Sequence, residues 1–262
     1  MSRTALFVAL ILAAAGCRSA AMRLPLAADD PRPPALIRAW QERASERRAM
    51  RGSARLAVDG EALHVRARQI LVVERPSRLR IEVQGLLSQT LAVLVTDGPR
   101  YQLFRAEDRS FESGEVHPGL LWEVASLDLT PEEAIELVLG APRLDAALVP
   151  LRAFETGDGE IGVDLGDGSG SVRERRSFDS EGRLRRVERL AEGGGVAWSA
   201  RFDDYAPVSG VFLAHAIRLE AAQPAVRAEL ALSGIELNPA LSAELFRLRP
   251  IAPDGDPDGE GG

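Results

Sequence analysis

Apolar and polar residues alternate along most of this chain, and two stretches switch to helical spacing. In the first, Leu36, Ile37, Trp40, Ala44 and Arg47 fall on one stripe, with Pro33 and Pro34 before it, which predicts a helix over 35–50. From Gly52 onward Ala54, Leu56 and Val58 alternate with polar neighbours, and Asp59-Gly60 is a hairpin turn signal. A long strand over 63–74 ends at Arg75-Pro76-Ser77, and Leu79, Ile81 and Val83 then alternate with Arg80 and Glu82. A strand over 90–96 leads through Asp97-Gly98-Pro99 to Tyr101, Leu103 and Phe104. The pattern predicts an antiparallel meander.

The second helical stretch lies mid-chain. Residues 118–126 hold Leu120, Leu121, Trp122 and Val124, and Thr130-Pro131-Glu132-Glu133 then opens a helix with an N-cap, a first-turn Pro and acids facing the dipole. That helix carries Ala134, Ile135, Leu137, Val138 and Leu139, and Gly140 with Pro142 ends it. Alternation then returns, with strands expected over 161–165, 172–178, 184–191, 196–203, 212–220 and 226–236 between Gly- and Asp-rich turns. Asn238-Pro239 opens a short helical turn ending near Leu245, before Phe246-Arg247-Leu248. Strands before and after a helical insertion predict a mainly β (α+β) fold: one curved antiparallel sheet under a helical lid.

Composition narrows the chemistry. The 262 residues carry a net charge of −7, and all 32 basic residues are Arg. An acidic chain gains little from counterion release, so nucleic acid is not an expected partner. Without Lys there is no P-loop, Schiff-base or kinase-type amine. A single Cys excludes a disulfide framework and a Cys-rich zinc site, and His64, His117 and His215 lack metal-ligand spacing. No G-x-S-x-G elbow is present, and Gly193-Gly194-Gly195 has the character of a hairpin turn. No nucleophile, base and orienting group assemble from these residues, so neither an enzyme nor a cofactor is expected. Asp254-Gly255-Asp256 starts like a calcium loop but lacks the closing Glu, leaving 251–262 as an acidic, disordered tail. The Arg-rich runs 173–176 and 183–189 read as exposed strand faces, with lipid phosphate as the other use of such Arg.

The N-terminus sets the expected compartment. Arg3 precedes an apolar run over 5–15, too short to span a bilayer but suited to a signal peptide. The run closes on Ala14-Ala15-Gly16-Cys17, which resembles a bacterial lipobox. That resemblance implies cleavage after residue 16, lipidation of Cys17, a tether over 17–34, and placement on the periplasmic face of the outer membrane, since Arg18 rather than Asp follows the Cys.

Residues 35–250 then carry a family resemblance. Arg75-Pro76 with Arg80, the strand into Thr96-Asp97-Gly98, and Asn238-Pro239 through Phe246-Arg247-Leu248-Arg249-Pro250 resemble the periplasmic lipoprotein carrier family LolA. Gly85-Leu86-Leu87-Ser88-Gln89, residues 136–142, residues 179–189 with Gly182-Arg183-Leu184, and residues 198–205 are more similar to LolB, the anchored receptor family. The resemblance implies a half-open barrel, closed by helices, whose apolar cavity holds acyl chains. Its partners would be acylated lipoproteins or other lipids, delivered by a periplasmic carrier to a monomeric receptor.

It also implies sites. Leu87, with Leu86, matches a loop that drives membrane insertion, although Leu86 stands where Pro is usual and Ser88 where Gly is usual. Arg75 matches an Arg that bonds the lid of the carrier and keeps its cavity closed. Trp122, Ile135, Leu137, Val138 and Leu139 would face lipid from the lid. Each has a plainer reading: Leu86 and Leu87 packed inside, Arg75 solvated in a turn, and the lid residues as ordinary core. A filled core would favour a scaffolding lipoprotein, and an open apolar cavity a carrier or receptor.

Overall fold

The computed structural model describes residues 23–61, 64–125 and 127–248. The lipobox, Cys17 and the acidic tail over 251–262 lie outside the described residues. The chain begins with β1 (Arg23–Pro25) and α1 (Arg32–Ser45), followed by β2 (Ala49–Gly60), β3 (His64–Glu74), β4 (Arg78–Gln84), β5 (Thr90–Asp97), β6 (Arg100–Arg105) and β7 (Ser110–Glu115). Helices α2 (Leu120–Ala125) and α3 (Pro131–Val138) cross to a second run: β8 (Val149–Thr156), β9 (Ile161–Gly166), β10 (Val172–Phe178), β11 (Leu184–Leu190), β12 (Val196–Val208), β13 (Val211–Ala222) and β14 (Ala225–Leu237).

Among the described residues these fourteen strands form one antiparallel sheet, ordered β1-β8-β9-β10-β11-β12-β13-β14-β2-β3-β4-β5-β6-β7. The helical crossover carries the chain from the β7 edge to the opposite flank, and the second meander returns until β14 pairs with β2. Leu230 then stands opposite Leu56, and Leu56 opposite Ala67. The sheet does not close, because β1 and β7 remain as edges. Alternation gives it an inner face. On β2, Met50, Ala54, Leu56 and Val58 are buried while Arg51, Ser53 and Arg55 are exposed. The 3-10 turn Ala243–Phe246 buries Phe246 against β4 and β5.

The first helix is shorter than its stripe suggested. It runs Arg32–Ser45, and Ala49 and Met50 already belong to β2. The Asn238 side chain takes the backbone N–H groups of Arg48 and Ala49 at 2.8 and 3.1 Å, committing this segment to the sheet. Within the stretch expected as a tether, Arg23–Pro25 pairs with β8 and α1 begins at Arg32. Strands β1, β7 and β8 went unread: β7 (SFESGE) has no apolar alternation, and β1 and β8 lie at the sheet's other flank. The Arg-rich strand β10 is not uniformly exposed, because Arg176 is fully buried.

Candidate functional site

Helix α3 is built firmly at both ends. Thr130 and Glu133 form a reciprocal capping box at its start. At its end Gly140 takes φ +60°, the Gly140 N–H donates to Leu137 O at 2.9 Å, and the Ala141 N–H donates to Glu136 O at 2.8 Å. This Schellman arrangement leaves the carbonyls that follow the helix facing outward, and arginines take them. Arg47 donates to Leu139 O and Gly140 O at 3.1 and 2.8 Å. Arg75 donates to Ala141 O at 2.6 Å, and Arg176 donates to Pro142 O and Arg143 O at 3.1 and 2.8 Å. Five consecutive carbonyls are thus held by three guanidinium groups, from the α1–β2 link, the β3–β4 turn and β10. Burial pushes all three arginines below their ordinary pKa. Arg176 also bonds Glu174 at 2.6 Å and lies 4.4 Å over the Trp40 ring.

With its end strapped, α3 divides the concave side of the sheet. On one flank a cavity of about 380 Å³ separates α2, α3 and their connection from β2–β5, β13 and β14. Leu56, Leu71, Leu94, Ile217 and Leu230 line it from the sheet, and Leu121, Leu127, Leu129, Leu137 and Val138 from the lid. Among the described residues Gln69 is the single polar side chain in that lining. On the other flank a polar cleft of about 890 Å³ is lined by Glu132, Glu133, Glu136, Arg143, Arg173, Glu174 and Arg189. Leu137 borders both.

The expected lid residues therefore separate. Leu137 and Val138 line the apolar cavity. Ile135 and Leu139 do not: both are fully buried in the packed core and absent from the cavity lining. Trp122 also misses the cavity; it is 42% exposed and borders a small cleft with Trp198 and Pro224. Arg75 is half-buried and bonded to the segment after α3, not solvated in its turn.

Leu86 and Leu87 do not pack inside. They are 93% and 90% exposed at the tip of the β4–β5 hairpin. Backbone bonds between Gly85 and Gln89 and between Ser88 and Gly85, plus the Gln89 side chain accepting from the Leu87 N–H, hold the loop without using either leucine. Ser88 takes the left-handed φ of 62°, a conformation that Gly adopts freely. An open groove of about 720 Å³ adjoins this hairpin, bordered by Leu86, Leu91, Arg55, Arg66, Arg68 and Arg218. Arg55 and Arg68 stand directly opposite each other on β2 and β3. The acids that line the groove are paired with other arginines, Glu229 with Arg218 and Asp203 with Arg185 and Arg201, and Arg66 pairs with Asp59.

The chain is similar in fold to a LolA superfamily protein from Nitrosomonas europaea. The match has a TM-score of 0.54 at 15% identity and covers 80% of this chain and 97% of that one. A DUF1329 family protein from Desulfovibrio piger matches with a TM-score of 0.53 at 10% identity, covering 81% and 94%. No protein-family model and no curated protein matches the sequence. At these identities the likeness establishes a LolA-like fold. Sequence reading did not find Arg47 and Arg176 as lid anchors or Gln69 in the cavity. Gln69 did carry a signal, as a polar residue in phase with Val65, Ala67, Leu71 and Val73 on one strand face.

Proposed function

We propose that this protein is a LolB-like receptor, anchored through Cys17 on the periplasmic face of the outer membrane, that accepts acyl chains of lipoproteins and passes them to the bilayer. The carrying observation is the pairing of an apolar, unfilled cavity with a hairpin whose two leucines lie almost wholly in water. The cavity's volume falls within the range of small-molecule sites. An acyl chain loses about 0.8 kcal/mol of favourable transfer per methylene left in water, so transfer needs a covered route. Leu86 and Leu87 would enter the bilayer, and each leucine fully moved out of water contributes about 1.5–3 kcal/mol. Arg55 and Arg68, without ion-pair partners among the described residues, would meet lipid phosphates beside the hairpin. A periplasmic carrier would deliver the cargo. A scaffolding role calls for a filled core, and Leu137 and Val138 border a void instead.

The test uses the full chain with Cys17→Ala, offered a triacylated lipoprotein and examined by native mass spectrometry. Stoichiometric capture is expected, and Leu86→Glu with Leu87→Glu should preserve capture while abolishing delivery to phospholipid vesicles. Absence of any captured lipoprotein or lipid would refute the transfer reading and leave the scaffold in its place.

A further inference from the structure

Gln69 occupies an inward position on β3, where an apolar side chain would complete the cavity wall. Its neighbours across the strands are Ala54 on β2 and Val83 on β4, and Ala67 and Leu71 flank it along β3. The residue is only 7% exposed. Among the described residues its side chain has no hydrogen-bond partner, although its amide offers two donors and a carbonyl acceptor. Buried polar groups are nearly always bonded, and a lone amide in a hydrocarbon-like wall is unfavourable unless something entering the cavity satisfies it.

We propose that Gln69 hydrogen-bonds the carbonyl of an ester or amide linkage on the bound acyl chain, so that the cavity selects acyl groups over plain hydrocarbon. This rests on the acyl-binding reading above. The Gln69 amide would donate to the linkage oxygen, and for an amide its Oε1 would accept the linkage N–H. Position supports the assignment. Val65 and Ala67 lie on the β2–β3 hairpin side of Gln69, and Leu71 and Val73 on the side of the Arg75 turn, all lining the cavity. Two residues of strand span about 6.6 Å, so Gln69 sits about 13 Å from either end of this β3 wall. A linkage there leaves apolar wall on both sides, one for the chain and one for whatever leads out.

The measurement is displacement of a bound fluorescent alkyl probe from the full chain carrying Cys17→Ala, by methyl palmitate, N-methylpalmitamide and hexadecane. Wild-type Gln69 should favour the ester and the amide over the alkane by about tenfold, which corresponds to about 1.4 kcal/mol. Gln69→Leu, and Gln69→Met as a second apolar replacement, should bind all three within about twofold while keeping the alkane affinity. Equal affinities in the wild type would overturn the proposal. A preference that survives both substitutions would overturn it too, and would mean that water satisfies Gln69. If the wild-type residue binds none of the three, the acyl-binding reading itself falls, which separates the two failures.

Discussion

The two flanks of α3 face the same sheet yet are built on opposite principles. Toward β9–β12, α1 plugs the concave face near the strap: Trp40 packs edge-on to Phe178, and Phe178, Phe202, Leu165 and Val187 are fully buried. Charge there is paired on both faces of the sheet: Arg176 bonds Glu174 at 2.6 Å on the inner face, and on the outer face Asp164 bonds both Arg152 and Arg175 at 2.6 Å. Toward β2–β5, β13 and β14 no helix as long as α1 intrudes, and the short α2 and α3 leave a void walled by apolar side chains. A sheet this curved leaves more space than three short helices can fill. On one side the chain packs an aromatic plug around α1 and leaves a polar cleft beside α3, and on the other it leaves an apolar space for a guest. The strap of carbonyls 139–143 allows this, because α3 is held by polar bonds rather than by collapse onto the cavity.

The plugged flank should be the costly one to disturb. Arg176→Met keeps most of the volume but strands the Glu174 carboxylate and two carbonyls, so urea unfolding should show a loss of about 3–5 kcal/mol. A loss under 1 kcal/mol would mean that the strap contributes little. Asp164 adds a pH signature. Burial pushes its carboxyl up, but the bonds from Arg175 and Arg152 outweigh burial and hold it below the ordinary value of 3.8. A depressed carboxyl contributes stability above its unfolded pKa and loses it as pH falls through the folded one. Asp164→Asn should therefore cost about 3 kcal/mol at pH 7, with the gap to wild type closing below about pH 4. A gap that stays constant from pH 7 to 3 would remove Asp164 from the account.

How much of this was legible in the sequence follows from what each feature depends on. The meander over β2–β6 and the later strands were readable because alternation is local and each strand has one buried face. The capping box and Gly140 marked α3 for the same reason. Arg47 sat on the helical stripe by spacing, but its place is set by the carbonyls of residues 92 and 93 positions away, a contact no local pattern contains. Arg176 looked like one member of an exposed Arg run, because burial of a guanidinium depends on partners supplied by α1 and the strap. Leu86 and Leu87 left two readings open, since a hydrophobic pair in a turn fits packing or exposure equally. Ile135 and the capping Leu139 are close in sequence to Leu137 and Val138, and which of them borders the void depends on how α3 is rotated over the sheet.

The comparison sharpens to a pair of substitutions that differ in little but location. Ala200 on β12 is fully buried beside Phe202 and opposite Val187, so Ala200→Leu must force three carbons into a packed layer. It should destabilise by about 1–3 kcal/mol. Ala134 on α3 borders the void, and Ala134→Leu places the same three carbons in empty apolar space. The added burial outweighs the rotamer entropy of a leucine, so this substitution should stabilise the protein by about 1 kcal/mol. Its helix propensity is close to that of Ala and does not reverse the sign. The same leucine should also weaken capture of a triacylated lipoprotein, because it occupies space meant for the guest. Matching denaturant midpoints for the two variants would show that the flanks are equally packed. A stabilised Ala134→Leu protein with undiminished capture would place the guest somewhere other than this cavity.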